Sequence, residues 1–94
     1  MALKTNAFDP AKYLDTTDAI AGYITDAFET GDTAFIADAL GVIARARGMS
    51  QMAKDTGLSR ESLYRSLSAK GNPELGTVLK VISAMGLSLS ANTS

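Results

Sequence analysis

The sequence contains no cysteine and no histidine. Without cysteine there is no disulfide and no thiolate metal site, which suits a reducing cytoplasm. Without histidine, a Ser-His-Asp triad, a histidine general base and the usual zinc sites are excluded. No apolar run approaches the roughly 20 residues of a membrane span, and the start, MALKTNAFDPAKYL, lacks the apolar core of a signal peptide. The expectation is a cytoplasmic protein with no membrane, cofactor or metal ion. At 94 residues the chain makes one small domain with a modest core, and 46% hydrophobic residues mark it as globular rather than disordered. Any enzyme chemistry would fall to carboxylates, serine or lysine. Asp26, Glu29, Asp32 and Asp38 are the candidates for a carboxylate or metal cluster, but Glu29 and Asp32 flank a helix break where capping explains them. The chain does not read as an enzyme.

What the sequence does contain is concentrated in Met49–Leu67, MSQMAKDTGLSRESLYRSL. Ser50 is a candidate N-cap for a short helix from Gln51 to Thr56. Ala53 is small enough to let a second helix approach. Gly57 follows where the chain must turn, since glycine enters the left-handed region without steric cost. Ser59 then caps a helix over 60–69, and Leu58 and Leu63 have the spacing of a hydrophobic staple. This order predicts a helix-turn-helix with its second helix presented to a major groove. With Leu63 and Leu67 turned inward, the 100° step per residue places Glu61, Arg65 and Ser68 outward, and Ser62 and Tyr64 on the flanks. Arginine forks among small hydroxyls have the chemistry to read base edges and grip phosphates. Arg65, Arg60 and Glu61 are the expected base-contacting residues. Ser50, Gln51, Lys54, Ser59, Ser62, Tyr64 and Lys70 complete the expected DNA-binding set.

The net charge of −1 conceals a division. Residues 1–43 carry two basic and seven acidic residues, a net −5, whereas residues 44–71 carry six basic and two acidic, a net +4. Phosphate responds to the local field, screened over about 8–10 Å in physiological salt, so the motif is the electropositive part.

Around the motif, residues 1–9 read as extended, and Asp9 with Pro10 opens a short turn of helix over Ala11–Leu14. Thr17 caps a helix from Asp18 to about Thr30, with Ile20, Tyr23, Ile24, Ala27 and Phe28 at helical spacing. Gly31 ends it. Asp32 caps Thr33–Arg47, with Phe35, Ile36, Ala39, Leu40 and Ile43 inward, and Gly48 stops it. After Gly71-Asn72-Pro73, a last helix runs over Leu75–Met85, with Leu75, Val78, Leu79, Ile82 and Met85 inward. The tail Leu87–Ala91 alternates apolar and polar residues. It either forms a short strand, pairing with the same segment of a second subunit, or frays. The organisation is a single domain over 1–94: an acidic helical part at 1–43, a helix-turn-helix core at 44–86 and a tail at 87–94. The fold class is all-α, a compact bundle of about five helices with an N-terminal helical extension and, if the tail pairs, a short C-terminal strand.

The segments FDPAKYL, IAGYITDAFETGD, ALGVIARARGMSQ, GLSRESLYRSLS and GNP followed by TVLKVISAMGL carry a resemblance that spans nearly the whole chain. The sequence resembles the small bacterial addiction-module antidote proteins, HigA-like antitoxins with a helix-turn-helix of the lambda-repressor (Xre) type. Glu74, where a better N-cap is usual, is a minor departure. The resemblance implies an antitoxin that neutralises a small toxin of the RelE/ParE superfamily and, usually as a homodimer, represses its own operator on double-stranded DNA. A stand-alone phage-type regulator without a toxin is the alternative, because both would use the same DNA face. For the toxin, the N-terminal part offers Phe8, Tyr13, Leu14 and Tyr23 beside Asp15, Asp26 and Glu29. Such aromatics and acids would suit a small basic partner.

Overall fold

The structure is a computed structural model and describes residues 15–93. Five helices follow in order: α1 (Thr17–Glu29), α2 (Thr33–Arg47), α3 (Met49–Thr56), α4 (Arg60–Ser66) and α5 (Leu75–Ala84). The fold is all-α, and no strand occurs among the described residues. The expected extended segment and helical turn at 1–14 lie outside the described residues.

α2 is the axis of the molecule. Leu40, Ile43 and Ala44 are wholly buried. Around them gather Ile20, Ile24 and Ala27 of α1, Met49 and Met52 of α3, Leu63 of α4, and Val81 and Ile82 of α5. On α1 the buried residues recur at intervals of four and three, so one apolar stripe faces α2 and the opposite side meets water. At Gly41 an added Cβ would overlap the Leu67 carbonyl oxygen. The absence of a side chain there lets the end of α4 sit directly on α2.

Helix boundaries differ from the sequence reading in ways that the capping geometry explains. Of the two adjacent threonines, Thr16 caps α1: its backbone is extended and its Oγ1 accepts the Ala19 N–H at 3.0 Å, leaving Thr17 in the first turn. Asp32 caps α2 as expected, with its carboxylate accepting the Phe35 N–H at 3.2 Å. Ser50 is not a cap. Gly48, at φ 105°, is the whole connection between α2 and α3; its carbonyl accepts the Met52 N–H at 3.0 Å, and α3 begins at Met49. The burial of Met49 pulls that residue into the helix.

α4 ends at Ser66 rather than residue 69, although Leu67 stays buried as its cap. The chain folds back through a turn in which the Gly71 N–H donates to the Ser68 carbonyl at 2.8 Å. Phe35 is half exposed, and on α5 Leu75 and Leu79 face outward, 69% and 45% exposed, where the sequence predicted them inward. Val81, absent from the predicted stripe, is fully buried in their place. LGTVLKVISAM carries two overlapping apolar stripes, and tertiary packing selects the one through Val78, Val81, Ile82 and Met85. Glu74 is the α5 N-cap and makes no side-chain capping bond. In the tail, Leu87 is half-buried and its N–H donates to the Ile82 carbonyl at 3.1 Å.

Candidate nucleic-acid interface and partner surface

The turn between α3 and α4 is tied by local bonds. Gly57 is left-handed at φ 76°, and its N–H donates to the Ala53 carbonyl at 2.9 Å. Thr56 is buried with its hydroxyl satisfied on both sides: it donates to the Met52 carbonyl at 2.7 Å and accepts the Leu58 N–H at 3.2 Å. This residue was not singled out in the sequence; the signal was a β-branched hydroxyl just before the glycine. Ser59 caps α4 by accepting the Ser62 N–H at 3.0 Å. Leu58 packs against the cluster that holds Leu63, in keeping with the expected staple.

These devices settle which side chains reach water. Leu63 is fully buried, and Arg60, Glu61, Tyr64 and Arg65 are exposed. Ser62 is half-buried, with its N–H committed to Ser59. Ser50, Gln51, Lys54, Ser59 and Lys70 are also exposed. The first turn of α3 has no side-chain cap, so its backbone N–H groups remain available to an acceptor. Gln51 is not free-standing: its Nε2 donates to Asp55 at 2.9 Å, and Asp55 also takes Arg47 at 3.3 Å.

The residues expected to meet a toxin divide. Asp15, Asp26 and Glu29 are exposed. Asp18, Asp26 and Glu29 share one side of α1 at helical spacing, and α1 carries no basic residue. Tyr23 instead packs half-buried against the core. Burial pushes its phenol above the ordinary value, the Asp38 carboxylate adds to this, and the Arg45 guanidinium opposes it. Phe8, Tyr13 and Leu14 lie outside the described residues.

Beside the acidic side of α1 runs an open groove of about 950 Å³. It is lined by Ile24, Phe28 and Glu29 of α1, by Ile82 of α5 and by the tail from Leu87 to Thr93. The groove has no local signature in the sequence, because α1 and the tail that line it are far apart along the chain. Among the described residues no group of His, Cys, Asp or Glu side chains could hold a metal ion, and no helix is long and apolar enough to cross a membrane.

α1 is acidic, with no basic residue, whereas α3 and α4 together carry three basic and two acidic residues. Comparison with known families is more specific. A family model described as "probable addiction module antidote protein" matches residues 4–93, and the chain belongs to that family. An uncharacterized protein of Haemophilus influenzae is 46% identical over 80 residues, covering 85% of this chain and 82% of that one. No solved structure matches the chain.

Proposed function

We propose that the protein is the antitoxin of a toxin–antitoxin module, which neutralises a small RelE/ParE-type toxin and represses its own operon by binding DNA. Membership in the antidote family over residues 4–93 is the observation that carries this reading. For the DNA part, α3 and α4 act as a helix-turn-helix of the Xre type. Arg65, Arg60 and Glu61 meet base edges. Gln51, Lys54, Ser62, Tyr64 and Lys70, with the uncapped first turn of α3, meet phosphates. Ser50 and Ser59 supply hydroxyls at the same face. The exposure of all these residues except Ser62 supports the assignment.

For the toxin, the acidic side of α1 and the adjoining groove are the docking surface, with Asp15, Asp26 and Glu29 steering a basic partner. That surface shares no residue with α3 or α4. A homodimer reading a two-fold operator is the usual solution for a single short reading helix. The exposed Leu75 and Leu79 support α5 as its seam, and the tail, whose Leu89 also lines the groove, adjoins both surfaces.

The test is co-expression with the product of the adjacent gene, followed by co-purification and a gel shift on the upstream DNA. Retention of the partner and a shifted duplex are expected; failure of either removes that half of the proposal. Deleting residues 87–94 is expected to weaken both self-association in sedimentation and operator binding. A truncated chain that sediments and binds like the full one moves the seam elsewhere.

A further inference from the structure

We propose that Asp55 determines the DNA specificity of this protein by position rather than by contact, holding Arg47 off the phosphates and fixing Gln51 in place. The inference rests on the DNA-binding reading above. Asp55 lies one turn after Gln51 on α3, so the two side chains share a face. One carboxylate oxygen accepts Gln51 Nε2 at 2.9 Å and the other accepts Arg47 Nη2 at 3.3 Å. Arg47 is the last residue of α2, and only Gly48 separates it from α3. The three side chains therefore bridge the junction between the axial helix and the first helix of the motif.

Two consequences follow from this geometry. Glutamine and arginine side chains lose much rotamer freedom when they bind, and a group already held loses less. Gln51 is held through its amide nitrogen while its carbonyl oxygen has no partner among the described residues. Its amide is thus presented in one orientation. Arg47, by contrast, already has a counter-charge on the protein. A paired arginine adds little to the sequence-independent attraction of the face, because a phosphate must displace the carboxylate first. Of the six basic residues within 44–71, one is thereby withheld from the general phosphate field, and discrimination rests on the remainder.

Asp55→Asn separates these effects from the fold. Asparagine keeps an oxygen for Gln51 but gives up the charge that holds Arg47. The full-length protein is titrated by gel shift against a duplex from upstream of its own gene and a scrambled duplex of equal length, at several salt concentrations. Thermal melting checks that each variant is folded. For Asp55→Asn the expected result is tighter binding to the scrambled duplex, with the slope of log K against log salt steeper by about one unit. Discrimination between the two duplexes is expected to fall by about tenfold.

Arg47→Met, which leaves the Asp55 carboxylate uncompensated, is expected to weaken binding to both duplexes with a slope no steeper than wild type, and the double variant, in which the pair is again neutral, to return to the wild-type slope. An unchanged slope and unchanged discrimination in Asp55→Asn overturn the inference while leaving DNA binding in place. A slope equally steep in the double variant also overturns it, because the change then comes from the lost carboxylate and not from Arg47. A wild-type protein that binds neither duplex overturns the DNA reading, and this inference with it.

Discussion

α1 and α4 both pack on α2, but they are held there by different means. α1 is a 13-residue helix with a continuous buried stripe of Ile20, Ile24 and Ala27. Side-chain packing alone accounts for its position. α4 has seven residues, too short to be stable in isolation, and Leu63 is its one fully buried side chain. Beyond Leu63 and Leu67, its position comes from local turn devices: the Ser59 cap, the Thr56 hydroxyl, left-handed Gly57 and the approach of Leu67 to Gly41. The electrostatics divide in the same way, with net −5 over residues 1–43 and +4 over residues 44–71. A helix held by a stripe can vary its outer face freely. A helix held by a few backbone contacts depends on each of them, and residues proposed to read DNA require that rigidity.

Gly41→Ala is the substitution expected to break this contrast most. Alanine is the better helix former, yet its Cβ meets a backbone oxygen that cannot turn aside. Overpacking of this kind costs about 1–3 kcal/mol, and a backbone clash lies at the upper end. Chemical denaturation should show the loss, and operator binding should suffer even under conditions where the chain stays folded. Unchanged stability would mean that α4 has room to shift, and that its backbone contacts constrain it less than the geometry implies.

Arg65→Ala sharpens the comparison from the other side, because it touches no structural device. The proposal predicts a loss of about 1–3 kcal/mol in discrimination by gel shift, with thermal stability unchanged. Equal operator affinity for variant and wild type would remove Arg65 from the readout set.

The acidic half is expected to respond in rate rather than in stability. Asp15→Lys with Glu29→Lys reverses two exposed charges. If the toxin docks there, its association should slow by about tenfold at low salt and converge with wild type at high salt. Operator binding by the free protein should be unaffected. The same rate and salt dependence in the variant would place the toxin on another surface.

The legibility of the sequence follows the same division. Caps, glycines and periodic stripes are local, so the five helices, the Asp32 and Ser59 caps and the Gly57 turn could all be read from the chain. Where two local signals compete, the reading slipped. Thr16 and Thr17 both suit a cap, Ser50 suits one better than Gly48, and α5 carries two apolar stripes. Burial of Met49 and Val81 decides the last two cases, and burial is a property of the whole fold. The Gln51–Asp55 pair has a readable i,i+4 spacing, but the Arg47–Asp55 ion pair and the groove beside α1 depend on which elements meet, which no spacing in the sequence expresses.

The smallest expected effect concerns Tyr23, which the sequence offered both to the core and to the partner surface. Its half-buried ring lies against the core, and burial together with Asp38 raises its phenol pKa above the ordinary 10.0, against the pull of Arg45. A raised pKa means that the fold prefers the neutral phenol. Its contribution to stability is complete below the unfolded value, near pH 10, and is lost as pH rises through the higher folded value. Because the ring is only partly buried, the effect is a modest slope in the alkaline range and not a transition. Tyr23→Phe removes the ionisable group and keeps the ring. The stability of wild type relative to this variant should therefore be level up to about pH 9 and decline above pH 10, measured by denaturant unfolding across that range. A difference that stays flat through pH 11 would mean that the phenol is solvated. Tyr23 would then belong with the exposed acids of α1 as part of the partner surface.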